Sequence, residues 1–551
     1  MTFDDFPNVW GAGQLLAFSG VDGRTSWFEP FVLHTDVAPG HLRVKLPTEV
    51  AIEFPGLDHL RCECLTGDAI VAGRYRAAFA DDRTLAGTLP AGAQMRAGQA
   101  AVGQPAVIAT AGEAVLWAGC EAGRWIIARR KPGEPLGAVA DVDQLVADRT
   151  AYLRGLTLPD GLSAAERRLL RKAISVGKVN VEAPVGCIKR RWTTPDRYPH
   201  RHMWLWDSAF HAIGMGYYDL PLAQDAVLAM LEHVEDNGWL PLTVQPGGQA
   251  ANRTQPPILA WAALALLNQG ADPAWVDACR PYLFRYLEWD RLNRDANGNG
   301  IPEWAIQDAP LCRCGESGLD NSPVYDGAVP LDAPDFGAFL AHDYACLAEM
   351  ARRSGDESQA ATCEQHAGAI GAKVRELLWW PERELFFHRD FQGRFVDCEA
   401  VSGFVPLFAG IASPEQAAAL GRHLDNPATF GAPVPVPTVS LRSGTFSKDM
   451  WRGPSWANLS YLVYLGLRRY GDRERAARLR TALLDTIGTW YATTGCLWEY
   501  YDALGLTPPI ELDRKQRIST GLGITPISDY HWTAAVTVAL LCGDAVVGRS
   551  A

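Results

Sequence analysis

The chain has 551 residues, of which 21% are charged and 48% are hydrophobic, as in ordinary folded proteins rather than disordered ones. Asp and Glu total 63 and Lys and Arg total 51, so the net charge of −12 argues against a general binder of nucleic-acid phosphates. The N-terminus shows no export signal, and the longest late apolar stretch, WTAAVTVALLC, is too short to span a bilayer. We therefore expect a cytoplasmic protein without a nucleic-acid or membrane partner, of undetermined oligomeric state.

The first part of the chain predicts β-structure. Short apolar or alternating runs such as HLRVKLPTEVAIEF and GRWIIARR extend from Leu15 to about Leu136, with turn residues between them. This pattern predicts an antiparallel β-sandwich. The segment KPGEPLGAVADVD marks its end, and we place the boundary near 143–159. The predicted domains are a sandwich with its linker (1–155) and a helical domain (156–551).

Helical periodicity dominates the rest of the chain. It begins with SAAERRLLRKAISVGKV, where Ser163 and Glu166 form a predicted capping box. About eleven helix candidates follow one another in pairs, which favours a toroid of helical hairpins over a compact bundle. The long connections at 295–334, 424–452 and 495–528 are rich in Trp, Asp, Glu and Gly. We predict that the functional residues lie there.

Two acidic residues in these connections are candidates for catalysis. Asp320 lies in CGESGLDNSPVYDG, a turn-rich segment that either presents a carboxyl group into a cavity or caps the next helix through an Asx-turn. Glu499 in CLWEYYDALG has aromatic neighbours, which desolvate a carboxyl group and tune it for proton transfer. Its alternative role is an ion pair with an arginine such as Arg452. Two acids on separate loops, in a chain with 19 tryptophans to grip sugar rings, are the minimum equipment of a glycosidase.

Six motifs in order then resemble a known family. WLWDSAFH, TQPP, ESGLDNSP, WRGPSW, WEYYD and HWTAA are similar to motifs of glycoside hydrolase family 63 and its relatives in clan G, which include trehalases and the mannosylglycerate and glucosylglycerate hydrolases. The resemblance covers about residues 163–545. It implies an (α/α)6 barrel that hydrolyses α-glycosidic bonds with inversion, with Asp320 as general acid and Glu499 as general base. It also places seven residues around the sugar in the −1 subsite: Trp204, Trp206, Asp207, Gln255, Trp451, Arg452 and Trp456.

The chemistry of these side chains agrees with the implied roles. Inversion needs a water molecule between base and sugar, so the two carboxyl groups are expected roughly 6.5–9.5 Å apart. Asp207 suits an acceptor for sugar hydroxyls, and an N-cap role for the same residue is compatible. Gln255 both donates and accepts, which suits a vicinal diol. Each of the four indoles either contacts the sugar or belongs to the core.

The segment RDANGNGIPEW has the spacing of a calcium loop. Asp295, Asn297, Asn299 and the Ile301 carbonyl occupy positions 1, 3, 5 and 7, and Glu303 can add a ligand at position 9. The acid expected at position 12 is absent, because Ile306 stands there. A structural calcium ion and a simple Gly/Asn-rich turn therefore both stay open.

No other cofactor is expected. His200, His202 and His211 fit no standard metal spacing, so we interpret them as ordinary hydrogen-bonding residues. The twelve cysteines show no paired zinc pattern and are expected to be reduced and mostly buried. Nothing indicates an organic cofactor.

The predicted function is an inverting, exo-acting α-glycosidase for α-glucosides or related small α-glycosides, including glycosylglycerates. The N-terminal sandwich can lend a loop to the barrel mouth and so narrow the pocket toward small substrates. Arg313 is a candidate for binding a glycerate carboxylate, although a surface position is the simpler interpretation. A disaccharide phosphorylase, a trehalase and a non-catalytic sugar-binding protein are the alternatives.

Overall fold

The computed structural model describes residues 2–57, 59–138, 141–248, 251–521 and 525–547. The chain divides into two compact units. The first unit contains Met1–His202, Ile487–Leu497 and Ser528–Ala551, and the second contains Met203–Thr486 and Trp498–Ile527. The predicted boundary between residues 155 and 156 falls inside the first unit, and the division into domains at that point stays a prediction.

Two antiparallel sheets form the β-rich part of the first unit. Their strands are β1 (Leu15–Ala17), β2 (Val32–Thr35), β3 (Leu42–Leu46), β4 (Val50–Glu53), β5 (Cys64–Leu65), β6 (Ala69–Ala72), β7 (Tyr75–Asp81), β8 (Thr84–Thr88), β9 (Met95–Ala97), β10 (Ala100–Val102), β11 (Ala106–Ala111), β12 (Ala114–Glu121) and β13 (Arg124–Arg130). One sheet has the order β1-β2-β3-β4-β9-β10 and the other β11-β12-β13-β8-β7-β6-β5. The antiparallel N-terminal sheet region predicted from the alternating runs is confirmed.

The two sheets share one apolar core. Leu33 and Val44 of the first sheet belong to the same buried cluster as Phe79 and Trp125 of the second. The Trp125 ring lies directly over Gly87, where a Cβ atom would come within 2.2 Å of it. Side chains that alternate along each strand thus fill the space between the sheets, which is the arrangement of a β-sandwich.

The described residues form thirteen α-helices. They are α1 (Val142–Arg154), α2 (Ala164–Val179), α3 (Leu205–Met215), α4 (Leu220–Leu231), α5 (Leu259–Asn268), α6 (Pro273–Asn293), α7 (Pro334–Arg353), α8 (Glu357–Leu377), α9 (Val405–Ala409), α10 (Pro414–Asp425), α11 (Ala457–Arg469), α12 (Arg473–Thr494) and α13 (His531–Val547). All eleven predicted helices are present, and the capping box of Ser163 and Glu166 is confirmed. Helices α1 and α9 were not predicted, because α1 follows a Pro/Gly-rich segment and α9 has only five residues.

Helices of the second unit pack in a regular succession. Each of α3, α5, α7 and α9 packs against the next odd-numbered helix, ending at α11. Every residue of α3 is buried, whereas α6 and α8 are buried along one side only. A helix that is apolar on all sides belongs in an interior, and a one-sided helix lies over it. The second unit therefore has an inner row of helices with others packed outside.

Short two-stranded ladders close the connections between helices. They pair β14 (Val181–Glu182) with β15 (Trp192–Thr193), β16 (Met203–Trp204) with β17 (Thr243–Val244), β18 (Leu331–Asp332) with β21 (Arg389–Asp390), and β19 (Trp379–Trp380) with β20 (Leu385–Phe386). Within the described ranges, no helix has the length and apolar character needed to cross a membrane. Eight of the twelve cysteines are buried and four are half-buried, in agreement with the expectation of mostly buried thiols.

Candidate active site

Every residue proposed for catalysis or sugar binding lies in the second unit. The first group surrounds the start of α3. Trp204 is half-buried and pairs with Thr243 in the β16–β17 ladder, directly before the helix begins at Leu205. Asp207 lies in the first turn of α3 and is only 2% exposed. The suggestion that Asp207 is the N-cap is wrong, because Trp204 occupies that position and makes no side-chain capping bond.

Gln255 of the TQPP motif is fixed to this same helix start. Its Oε1 accepts a hydrogen bond of 3.2 Å from the backbone N–H of Trp206. Its backbone carbonyl accepts 2.9 Å from the hydroxyl of Tyr286. The first turn of a helix has N–H groups without partners inside the helix, and Gln255 satisfies one of them. The buried amide of Gln255 is thereby held in one orientation relative to α3.

The ESGLDNSP segment approaches the same tryptophan. Gly318 has φ +75°, and a Cβ atom there would lie 2.4 Å from Cζ2 of Trp206. Only glycine allows both the left-handed backbone and this close approach to the indole. The glycine of the motif therefore sets how near the Asp320 loop comes to Trp206.

Glu316 holds the Asp320 loop in place through its buried carboxylate. Its role was not predicted from the sequence. Its carboxylate accepts hydrogen bonds from the backbone N–H groups of Thr254 at 3.1 Å and Ala305 at 2.7 Å. It also forms an ion pair with Arg294. Burial raises the pKa of Glu316, while Arg294 and the backbone donors oppose that rise. Glu316 thus ties the Asp320 loop to the TQPP segment and to the end of α6.

The carboxylate of Asp320 faces a lysine. Lys515 Nζ lies 2.7 Å from Asp320 Oδ2, and the Asp320 side chain is 22% exposed. The thiol of Cys312 also contacts Asp320, and burial raises the pKa of that thiol to about 11. The next helical turn, Pro323–Tyr325, is capped at Ser322 without a side-chain bond. The Asx-turn alternative for Asp320 is therefore wrong.

A row of aromatic rings connects the remaining motifs. The rings of Trp451 and Trp456 stack at 3.5 Å with an interplanar angle of 8°, and Tyr500 stacks on Trp456 at 4.6 Å. Trp206 meets Trp451 at 6.4 Å. Trp456 has no exposed surface, so its ring lies in the interior of this row. Its role as a sugar contact stays a prediction.

Arg452 ties the WRGPSW segment to the Asp320 loop. Its guanidinium donates to both carboxylate oxygens of Asp326 at 2.9 and 2.8 Å, and to the Asn321 carbonyl at 3.1 Å. The Asn321 side chain in turn accepts 3.0 Å from the Trp451 N–H. The suggested pairing of Arg452 with Glu499 is therefore wrong. This arginine is engaged in joining two loops.

Glu499 pairs with Arg514 instead. Arg514 donates to both carboxylate oxygens, at 3.0 and 3.2 Å, and the Ile527 N–H donates 3.1 Å to Oε2. Glu499 is only 1% exposed. Bidentate, charge-assisted bonds of this kind fix the direction of a carboxylate. The alternative prediction that Glu499 forms an ion pair with an arginine is confirmed, but the arginine is Arg514 and not Arg452.

The calcium-like loop is internally hydrogen-bonded. Asp295 accepts from the backbone N–H groups of Asn299 and Gly300, each at 3.0 Å. The side-chain amides of Asn297 and Asn299 each donate 2.8 Å to Asp332. Within the described part of the chain, no group of three or more His, Cys, Asp or Glu side chains has the geometry to hold a metal ion. The calcium ion therefore stays a prediction.

Three other sequence candidates have ordinary surroundings. His200 contacts Asp196 at 2.7 Å in the first unit, while His211 is buried in α3 of the second. Arg313 forms an ion pair of 3.3 Å with Asp308, whose side chain is fully exposed. Neither these histidines nor Arg313 lie among the contacts described for Asp320 and Glu499.

Comparison with known proteins identifies the class. The family model described as "Mannosylglycerate hydrolase MGH1-like glycoside hydrolase domain" matches residues 198–505, more than half of the chain. A mannosylglycerate hydrolase of Rubrobacter radiotolerans is 28% identical over 53% of this chain and 84% of its own length. A crystal structure of the family 63 mannosylglycerate hydrolase of Thermus thermophilus, with Tris and D-glycerate, has a TM-score of 0.56 at 23% identity, covering 67% of this chain and 99% of that one.

The fold is shared more widely. The neutral trehalase of Saccharomyces cerevisiae has a TM-score of 0.50 at 17% identity, covering 73% of this chain and 84% of that one. The family model identifies the chain as a glycosidase, and its fold is shared with that of a trehalase. The chain belongs to the MGH1-like glycoside hydrolase family, which confirms the predicted resemblance to the mannosylglycerate hydrolases. It shares its fold with a mannosylglycerate hydrolase of glycoside hydrolase family 63.

Proposed function

We propose that the protein is an inverting, exo-acting α-glycosidase with Asp320 as general acid and Glu499 as general base. The observation that carries the proposal is the pairing of these two acids, from separate connections, with the adjacent residues Lys515 and Arg514. Consecutive Cα atoms are only about 3.8 Å apart, so one short segment serves both carboxylates. The names of the relatives, mannosylglycerate hydrolases, support an α-glycosylglycerate as the substrate class.

The proposed mechanism assigns one proton transfer to each acid. Asp320 donates its proton to the glycosidic oxygen as the bond to the anomeric carbon breaks, and Glu499 accepts a proton from the water that attacks that carbon. Glu499 suits a base, because Arg514 and the Ile527 N–H fix the direction of its carboxylate. The partly exposed Asp320 suits an acid that must take a new proton from solvent after each turnover. Asp207 and Gln255 are proposed to hold the sugar hydroxyls.

We further propose that the helices form an (α/α)6 barrel. The succession of α3, α5, α7, α9 and α11, with one-sided helices packed outside it, supports this architecture. In such a barrel the connections at one end carry the site, as the positions of Asp320 and Glu499 in long connections suggest.

We also propose a structural calcium ion in the loop from Asp295 to Glu303. Two observations support it. Asp332 adds a carboxylate beside Asn297 and Asn299 that the loop spacing alone did not indicate. Glu303 is 6% exposed, its Oε1 atom has no hydrogen-bond partner among the described residues, and burial raises its pKa to about 7. A hard cation would use these oxygens.

The test is proton NMR of the anomeric region during turnover of α-glycosylglycerates, trehalose and small α-glucosides, with and without phosphate. We expect the β-anomer of the sugar to appear first and phosphate to have no effect. Release of the α-anomer first contradicts inversion, and a sugar phosphate product favours a phosphorylase. Silence across the panel favours a sugar-binding protein.

Two volume-matched variants test the assigned roles. Asp320→Asn and Glu499→Gln are each expected to lower kcat by on the order of 10²–10⁴ while the fold is kept, because only proton transfer is lost. Glu511→Gln is the matched control, since Glu511 is an exposed acid on the connection that also carries Glu499. Turnover at the wild-type rate in Asp320→Asn or Glu499→Gln contradicts the assignment.

A further inference from the structure

The second unit contains a cleft that is separate in composition from the proposed sugar site. The cleft has a volume of 420 Å³ and is lined by residues of α6, α7, α8 and the loop 295–303. The described residues that line it include neither of the proposed catalytic acids and none of the seven proposed sugar contacts. Small-molecule sites have volumes of roughly 300–1,000 Å³, so the cleft is large enough to hold a ligand of its own.

The walls of the cleft are mainly apolar. Pro302 and Leu340 are buried at its base, and Ile370 on α8 is only 5% exposed. Ala369 and Ala372, also on α8, are exposed, and their short side chains leave the space beside the loop open. Concave apolar surface that stays open to water is typical of a binding site, because a ligand with an apolar body gains free energy by covering it.

A lysine extends one of these walls. Lys373 lies one residue after Ala372, and its stem passes over the loop, with Cγ 3.7 Å from a Cβ atom placed on Gly300. Lysine stems cover apolar surface while the ammonium group stays in water. Within the described part of the chain, Lys373 forms no ion pair and no side-chain hydrogen bond. The apolar wall therefore ends at a positive charge that has no counter-charge in the described protein.

The other ionisable side chains of the cleft have partners. Arg291 donates to both carboxylate oxygens of Glu288, at 3.1 and 2.7 Å, and His366 Nε2 lies 3.4 Å from the same carboxylate. The carboxylate of Asp295 accepts two backbone N–H bonds of its own loop, each of 3.0 Å. Of the charged residues that line the cleft, Lys373 is thus the one whose charge is left for a ligand.

We propose that this cleft is a second ligand site, which binds a small amphipathic carboxylate with its apolar body along Leu340 and Ile370 and its carboxylate at Lys373. The proposal goes beyond glycoside hydrolysis and does not depend on it. A sugar is not favoured, because apolar walls offer few partners for its hydroxyl groups. A short anion leaves the apolar walls uncovered, and a neutral apolar molecule leaves the lysine without a counter-charge. Medium-chain fatty acids and arylalkanoic acids combine the two required features.

Calorimetric titration of the full chain with octanoate and 4-phenylbutanoate tests the proposal. Octan-1-ol and acetate are the controls, since each has only one of the two features. Octanoate is expected to bind at least roughly 100-fold more tightly than acetate, because it buries six further CH₂ groups. It is expected to bind roughly 2- to 5-fold more tightly than octan-1-ol, the value of one exposed ion pair. The titration needs no turnover, so its result is independent of whether the protein hydrolyses glycosides.

Variants of α8 place the ligand in this cleft. Lys373→Met is expected to lower the affinity for octanoate by the same roughly 2- to 5-fold and to leave the affinity for octan-1-ol unchanged, while Lys373→Arg keeps the wild-type affinity. Ala369→Trp fills the cleft and should weaken both ligands at least roughly 10-fold. Ala361→Trp is the matched control, because Ala361 is an exposed alanine of the same helix that does not line the cleft. Both alanines are exposed, so the fold is expected to be kept.

Three outcomes overturn the proposal. The first is the absence of binding by both carboxylates, or equal octanoate binding in wild type and Ala369→Trp, which excludes the cleft as the site. The second is equal affinity of wild type and Lys373→Met for octanoate, which excludes the carboxylate as the recognised group. The third is a wild-type dimer that Ala369→Trp converts to a monomer in analytical ultracentrifugation, which makes the cleft an interface between two copies of the chain.

Discussion

Replacing Gly318 by alanine tests whether the contact between the Asp320 loop and Trp206 positions the proposed general acid. The left-handed φ of +75° costs an alanine roughly 1–2 kcal/mol. The new Cβ atom meets Trp206 carbons at 2.4 and 2.5 Å, whereas ordinary contacts are 3.4–4 Å, so loop or indole must move by about 1 Å. The ring is 2% exposed and cannot swing into solvent. Overpacking adds about 1–3 kcal/mol, for a total loss of roughly 2–5 kcal/mol.

The effect on catalysis follows from the same displacement. A misplacement of about 1 Å at a catalytic group lowers the rate by about 100-fold. We therefore expect Gly318→Ala to lower kcat/KM by about that factor, measured together with the free energy of unfolding in urea. Gly327→Ala is the control, because its nearest neighbour would be 4.0 Å away. A Gly318→Ala variant that is stable and keeps the wild-type kcat/KM refutes the reasoning. A variant that loses stability but keeps its kcat/KM shows that Gly318 matters for packing and not for positioning Asp320.

Three further predictions concern the aromatic row, the calcium loop and a buried histidine. Trp456→Ala removes a fully buried indole and should lower the free energy of unfolding by about 3–5 kcal/mol and weaken sugar binding; unchanged stability by urea unfolding contradicts its interior position. Millimolar calcium should raise the melting temperature of wild type and not of Asp332→Asn, and equal shifts in both contradict the site. Burial, and to a smaller extent the charge of Arg469, lowers the pKa of His342 to about 3, whereas the pKa is 6.5 in the unfolded chain. Between these two pH values the folded state binds fewer protons than the unfolded state, so the protein loses stability as the pH falls. Between about pH 6.5 and 4.5 wild type should lose roughly 2 kcal/mol that His342→Gln does not lose, with exposed His59→Gln as control; identical pH dependence in His342→Gln contradicts this.

The parts of the fold that could be predicted are those with a local signal. The helix beginning after Ser163 was predicted with its capping box, because both partners lie within one turn. The alternating runs predicted the antiparallel sheets for the same reason, since side-chain alternation is a property of each strand. Helix α1 was not predicted, because the Pro/Gly-rich segment before Asp141 was interpreted as a linker. Asp141 is in fact the N-cap of this helix.

The sequence predicted which segments carry the candidate site residues, but not which charged side chains pair with them. Asp320 and Glu499 were placed in long connections, and both lie there. Their cationic partners were not predicted, because Lys515 is far from Asp320 in the sequence and no periodicity relates them. Arg452 was suggested as the partner of Glu499, yet its guanidinium forms an ion pair with Asp326. Charge pairing between loops is decided by the fold, which brings together segments that share no local pattern.

The WRGPSW region has a second task that follows from these pairings. Asp449, just before the motif, accepts from the Gln516 N–H, and the backbone of Met450 donates 3.3 Å to the Asp513 carbonyl. This region therefore braces the segment that carries Arg514 and Lys515. Since those two residues hold Glu499 and Asp320, one brace sets the electrostatic surroundings of both acids. The proposed acid and the proposed base are thus coupled through a shared segment, and a shift of that segment is expected to change both proposed proton transfers together.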